Sequence, residues 1–390
     1  MPFAAAISTA FDARQAIDEV CAQAMIALGN VTPDLAVAFY SPHHVDSAAP
    51  IARMLHAKLQ PGCLIGCVGE SIVGNSREIE QDPALSLWLG NWNGKAALES
   101  FRLQMTQTPE GFTLLGWPDG IIDAIPSKSL MLLLGDPYSF PMTEIFLPRL
   151  NEDSPGLSVI GGMASNPLGP SVNNLILNDE AVGEGAVGVL LQGDFAWRSV
   201  VSQGCRPIGR PLIVTKGHDN VVVELSGKTP LEYLQSLHEE LGDADRQLFE
   251  RGLLIGVAIS EYRESFGRGD FLARNLLGLD RGSGAMAIND RIRVGQTVQF
   301  QVRDAASADE DLRSLLHSDR EAGRRPGGAL LFTCNGRGTR MFSQPNHDAS
   351  EIQQAFGPLP LAGFFAAGEL GPVSGRNFIH GFTASIALFE

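Results

Sequence analysis

Residues 34–71 read DLAVAFYSPHHVDSAAPIARMLHAKLQPGCLIGCVGES. An apolar run, Leu35–Tyr40, leads through a loop into an amphipathic stretch and a second apolar run ending in Gly69-Glu70-Ser71. Ile51, Met54, Leu55 and Leu59 stand at i, i+3, i+4 and i+8, the spacing of one helix face. A strand that is apolar throughout suits a central position buried on both faces. LSLWLG (85–90) supplies a further strand, so the segment reads β-α-β-β.

Working outward, the pattern recurs three times. Residues 129–165 contain SLMLLLGD, PMTEIFLPRL and LSVIGGMAS; residues 253–289 contain LLIGVAIS, DFLARNLLGL and SGAMAIN; residues 328–369 contain GALLFTCN, DASEIQQAFG and LAGFFAAGE. The strands AVGVLLQGD, TVQFQVRD and TASIALFE follow. The expected fold is α/β (α+β): mixed β-sheets with helices, built from repeated β-α-β-β units in two duplicated halves. Thr229, Pro230 and Glu232 form a capping box with proline at the first helical position, which places the join near Thr229–Leu241. The expected domains are 1–228 and 229–390. Hairpins are expected around Pro109-Glu110-Gly111 and His218–Asn220, and a helix over 12–28 with Asp12 as N-cap.

The 390 residues carry 29 Lys plus Arg against 44 Asp plus Glu, a net charge of −15, which argues against nucleic acid or an anionic membrane surface as partner. With 44% hydrophobic and 19% charged residues the chain can bury a large core, which excludes disorder. The 43 glycines follow no three-residue period, which excludes collagen. The first residues lack a basic run before an apolar one, and no apolar stretch approaches about 18 residues, so neither a signal peptide nor membrane insertion is expected. Cysteines 21, 63, 67, 205 and 334 are odd in number and form no CxxC pair, which points to a reducing, cytoplasmic compartment.

Familiar motifs fail on single residues. Gly227-Lys228-Thr229 has Val222 where a phosphate loop needs glycine, and Gly336-Arg337-Gly338 has Met341 where a dinucleotide fingerprint does. Gly69-Glu70-Ser71 misses a nucleophile elbow by one residue, and Arg268-Gly269-Asp270 carries no argument. The histidines are scattered, so neither a metal site nor a cofactor is expected.

What remains are glycine-rich strand ends. Cys334-Asn335-Gly336-Arg337-Gly338 directly follows an apolar strand, and α/β sheets bind ligands beyond such ends. Glycines let backbone N–H groups approach a ligand, and Arg337 can grip a carboxylate bidentately; the plainer reading is a turn with a solvated arginine. Glu369 lies in an apolar run, Gly363–Pro372, where it can receive an ammonium, act as a base, or pair with Arg337 or Arg376. Cys67 and Cys334 are candidate nucleophiles, although buried inert cysteine is commoner. Asn166 is either a ligand donor or a turn cap, and His380 reads as a core histidine.

These same segments resemble the FIST family, named for F-box and intracellular signal transduction proteins. STAFDARQAIDE, LAVAFYSPHH, LIGCVGESIVGN and GLSVIGGMASN are similar to its N-terminal domain. GCRPIGRPLIVTKGHDNVVVELSGKTPLEYL is similar to the join, and GALLFTCNGRG with PLAGFFAAGELGPVSGRNFIHGFTASIALF to its C-terminal domain. The resemblance implies a sensory module for small molecules such as amino acids. No kinase, cyclase or F-box segment is recognised, so output is expected through a separate protein partner, or the protein only binds or converts its ligand. The expectation is thus a small-ligand sensor for a zwitterion or carboxylic acid. Arg337 holds the carboxylate beside the Gly336 and Gly338 backbones, Asn335 orients, Glu369 meets an amino group, and Cys334 and Arg376 complete the site. The rivals are a hydrolase of small amides or ring compounds, with Cys334 as nucleophile or Glu369 as base, and an interaction protein with an exposed groove.

Overall fold

The computed structural model describes residues 2–109, 111–170, 172–263, 265–267 and 269–390. Glu110 of the first expected turn and Arg268 lie outside them. The chain opens with β1 (Phe3–Ser8) and α1 (Ala13–Leu28), whose N-cap Asp12 accepts the Gln15 N–H. A first unit follows: β2 (Leu35–Tyr40), α2 (Ala48–Leu59), β3 (Cys63–Val68), the hairpin β4–β5 (Ser71–Gly74, Arg77–Glu80) and β6 (Leu85–Gly90). The hairpin β7–β8 (Ala96–Thr108, Gly111–Leu115) leads to a second unit. It comprises β9 (Ser129–Gly135), α3 (Leu147–Asp153), β10 (Ser158–Met163), β11–β12 (Leu175–Leu177, Glu180–Val182) and β13 (Ala186–Gly193).

Next come β14 (Trp197–Gln203), β15 (Cys205–Pro207), β16 (Leu212–His218), β17 (Val221–Leu225), α4 (Pro230–Glu240) and α5 (Asp243–Arg251). They are followed by β18 (Leu253–Ala258), β19 (Phe271–Leu279), β20 (Met286–Ile288), β21 (Thr297–Arg303) and α6 (Ala305–Glu321). The last unit comprises β22 (Gly328–Cys334), α7 (His347–Phe356), β23 (Leu361–Ala366), β24–β25 (Glu369–Val373, Arg376–His380) and β26 (Thr383–Phe389).

The chain divides into two compact bodies, Met1–Ser202 with Leu312–Glu390, and Gln203–Asp311. Among the described residues, the larger body contains three units of one topology. In each, the first strand lies between its parallel partner and an antiparallel final strand: β2 between β3 and β6, β9 between β10 and β13, β22 between β23 and β26. Each unit's hairpin joins another unit's sheet. β4 pairs with β23, β24 with β10, and β11 with β3, which closes a cycle. Unpaired hairpins are marginal in water, so this exchange ties each unit's folding to the others.

The apolar strands are buried on both faces, as their sequence demands. Leu130, Leu132 and Leu134 of β9 point to a core shared by all three units, while Met131 and Leu133 meet α3 through Leu147 and Leu150. At the shared centre Phe39 stacks on Phe364 at 5.0 Å, and Phe332 meets both edge-on.

The same glycine recurs in each second strand. Gly66, Gly161 and Gly363 stand opposite Ala38, Leu133 and Leu331 on the parallel first strand, and opposite Ile176, Leu370 and Val73 on the exchanged hairpin. A Cβ at each would fall far inside contact distance of the carbonyl oxygen of Ala38, Leu133 or Leu331. These glycines therefore serve strand approach inside the sheet, not a ligand loop.

The smaller body is a six-stranded barrel, closed in the order β21-β16-β17-β20-β19-β18 by pairing of β18 with β21. Val298, Phe300, Ile255, Met286 and Val222 fill it. Two expectations change here. The stretch 270–279, expected as the helix of a repeat unit, is β19, paired with β18 and β20. Gly278 weakens it as a helix, and barrel closure supplies cross-strand partners that override its apolar spacing. Residues 253–289 are thus no repeat unit, and the described units do not sort two by two into duplicated halves. The division expected at 228/229, a boundary between sequence domains, falls between β17 and α4 inside this body, where β16 and β17 pair with β21 and β20. The capping box of Thr229 and Glu232 is present at the start of α4. No described helix is long and apolar enough to cross a membrane.

Candidate ligand-binding site

The loop after β22 and the start of β24 lie in the larger body, and the structure brings most of the expected residues together there. Arg337 is fully buried and paired inside the protein. Its Nε and Nη2 donate to the two carboxylate oxygens of Asp348, at 2.8 and 2.7 Å, and Nη1 donates to the Phe382 carbonyl at 3.4 Å. The Phe342 ring lies 5.2 Å from the guanidinium and stacks on His347. Burial alone would push Asp348 up; the Arg337 charge overrides it and, with His347, holds the carboxyl below its usual range. Thr333 also donates to Asp348, at 2.6 Å. Arg337 is therefore a buried strut that shapes its own loop, and its fork is not open to a ligand carboxylate.

Glu78, delivered by β5 of the first unit, completes this substructure. Its Oε1 accepts the Ala349 N–H at 2.8 Å, so it caps α7. Burial, reinforced by the Asp348 charge, raises its carboxyl to about 8. A carboxyl held protonated in the fold contributes stability that is full below 4.5, its ordinary value, and lost as pH rises through about 8. Glu78→Gln keeps the cap acceptor and removes the titration. Its melting temperature relative to wild type is expected to rise steadily between about pH 5 and about pH 9, ending above wild type. A difference independent of pH would refute this.

Glu369 begins β24 and is completely buried. Its Oε2 accepts the Thr383 N–H at 3.1 Å; Oε1 has no hydrogen-bond partner among the described residues. The Cys334 thiol lies alongside. Burial pushes Glu369 well above the carboxylate range, against the pull of Thr383, Cys334 and Arg337, so the acid is protonated. Burial likewise pushes the Cys334 thiol up, and Glu369 adds to it, although the Gly336 and Phe382 backbones hydrogen-bond the sulfur. That opposes the thiolate a nucleophile requires. Asn335 Oδ1 is a second buried acceptor without a described partner.

Phe382 covers this place. It holds a left-handed backbone, φ 59°, where a bulky side chain is an outlier. Its ring lies where a Cβ on Gly336 would come within 2.5 Å, so only glycine fits beneath it.

Other expected members lie apart. Arg376 is exposed at the hairpin tip, opposite Val373, whereas Glu369 pairs with His380 four steps away, roughly 13 Å along the strand. His380 is a buried core histidine whose Nε2 lies 3.0 Å from the Gly371 carbonyl. Gly338 is buried against Glu80 and Phe365. Cys67 is fully buried, and the Asn166 amide bonds the Val172 and Leu168 backbones of its own loop. Sequence reading missed Asp348, Glu78, Thr383 and Phe382. A separate open groove of about 670 Å³, lined by Trp117, Ile121, Ile122, Leu150 and Pro155 among others, shares no residue with this cluster.

Comparison with known proteins agrees with the sequence resemblance. The FIST N domain matches residues 34–228 and the FIST C domain residues 231–372. An uncharacterized protein of Mycobacterium tuberculosis is 46% identical over 386 residues, covering 98% of both chains. An uncharacterized protein of Mycobacterium bovis is 45% identical over 386 residues, covering 98% of this chain and 97% of that one. With both domains matched in order and relatives aligned along almost their whole length, the chain belongs to the FIST family.

Proposed function

We propose that this FIST protein is a cytoplasmic sensor that binds an amino acid or related small metabolite and signals through a separate protein partner. The binding place is the strand-end cluster of Glu369, Cys334 and Asn335, with the Gly336 backbone beside them. The observation that carries this reading is Glu369: an acid completely buried, whose Oε1 has no partner among the described residues beyond the neighbouring Cys334 thiol. Leaving a buried polar group unsatisfied costs about 1–3 kcal/mol. A ligand that supplies the missing partner explains why the fold keeps it. The hydrolase alternative is weaker, because the raised Cys334 thiol and protonated Glu369 supply neither a thiolate nor a base near neutral pH.

The test is thermal stabilisation by a panel of amino acids, amines and small carboxylates. At least one compound is expected to raise the melting temperature of the wild type and to leave Glu369→Gln unmoved. The uncharged glutamine replaces an already uncharged acid of nearly the same shape, so the variant is expected to fold. No stabilisation by any compound, or equal stabilisation of both proteins, would overturn the reading.

A further inference from the structure

We propose that the group which enters beside Glu369 is a primary ammonium, and that a ligand's carboxylate plays no part in this pocket. The inference rests on the reading above and names its ligand class.

It follows first from which atoms are idle. Glu369 Oε1 and Asn335 Oδ1 are buried and without a hydrogen-bond partner among the described residues; the amide oxygen accepts, and the Glu369 oxygen accepts once the acid has given up its proton. An ammonium brings three donors and no acceptor, whereas a carboxylate brings only more acceptors. It follows second from the nearby cations. Arg337 spends Nε and Nη2 on Asp348 and Nη1 on Phe382, and the exposed Arg340 on the same loop pairs with Glu70 and the Asn335 carbonyl. A carboxylate would have to break one of these pairs; an ammonium breaks none. Third, the strained Phe382 sets an aromatic ring over Gly336 next to Cys334, and cations are attracted to ring faces.

The charges balance with one proton. A neutral Glu369 carboxyl and an incoming alkylammonium become a carboxylate–ammonium pair, and the displaced carboxyl proton passes to the buffer. The groups facing Glu369 are Cys334 at the end of β22, Arg337 on the following loop, His380 across on β25, and Thr383 on β26, which offers only its N–H. Gly162, its partner on β10, carries no charge. Arg337 is already balanced by Asp348, so the ammonium meets one acid and no free cation.

The experiment uses the full chain with methylammonium chloride, sodium acetate and potassium chloride as probes. Binding is read as protection against thermal unfolding. Methylammonium is expected to raise the melting temperature, with acetate and potassium at equal ionic strength without effect. Glu369→Gln and, independently, Asn335→Ala are expected to weaken that protection at least about tenfold, the loss of a hydrogen bond to a charged group. Titration in two buffers of different ionisation enthalpy should show about one proton released per ammonium bound near pH 7. Protection by acetate rather than methylammonium, or by both equally, would overturn the ammonium assignment while leaving a ligand site at Glu369. A metabolite panel in which binders act through Glu369 but none carries an amine would do the same. If no compound of any class stabilises the protein, the binding site itself is refuted.

Discussion

Arg337→Ala is expected to destabilise the larger body by about 3–5 kcal/mol, because it strands the Asp348 carboxylate in the interior. Asp348 is about 1% exposed, and this one guanidinium gives each of its carboxylate oxygens a charged donor, beside the Thr333 hydroxyl and His347. The loss should appear as a lower urea midpoint with an unchanged slope. The double variant Arg337→Met/Asp348→Leu removes both charges and is expected to recover most of it, since apolar replacements of buried pairs are often neutral. An Arg337→Ala protein as stable as wild type would contradict the strut assignment. Arginine 337 is for this reason a poor probe of ligand binding: a loss of binding there would report unfolding.

Gly363→Ala is expected to be at least as damaging, more than about 4 kcal/mol, the range reserved for clashes the fold cannot relax. The new methyl group would meet the Leu331 carbonyl, a ladder atom of β22 that cannot move without breaking its pairing with β23 and β26. Gly66→Ala and Gly161→Ala meet the corresponding carbonyls of Ala38 and Leu133, so all three are expected to fail alike. Gly183→Ala, where a Cβ meets nothing within 4 Å, is the control and should stay within about 0.5 kcal/mol of wild type. Soluble expression and unfolding midpoints of the four variants decide this. A well-folded Gly363→Ala protein would contradict the sheet register.

Much of the fold was legible because the strands that matter are buried on both faces. Leu35–Tyr40, Ser129–Gly135 and Gly328–Cys334 read as continuous apolar runs, and each is the central strand of its unit. The helix 348–357 lies within one residue of α7. The segment 270–279 misled because its apolar spacing fits a helix face, while the partners that make it a strand lie elsewhere in the sequence. The exchange of hairpins is invisible locally for the same reason: β4 follows β3 in sequence but pairs with β23.

The candidate cluster was half legible. Glu369 stood out as an acid in an apolar run, and its burial bears out that oddity. Arg337 stood out as a cation beside glycines, but its partner is eleven residues away across a loop with no pairing signal. The glycine clusters look alike in sequence and are of two kinds. Gly66, Gly161 and Gly363 sit inside sheets, while Gly336 makes room for the Phe382 ring. Nothing in the sequence marks Phe382 as left-handed, since that backbone is imposed by its neighbours.

The most direct measurement is a crystal structure of the protein with whichever panel compound stabilises it most. The account predicts density for an amino group against Glu369 Oε1, with Phe382 displaced from Gly336. Density instead in the groove between Trp117 and Pro155, with Glu369 and Phe382 unchanged, would contradict it.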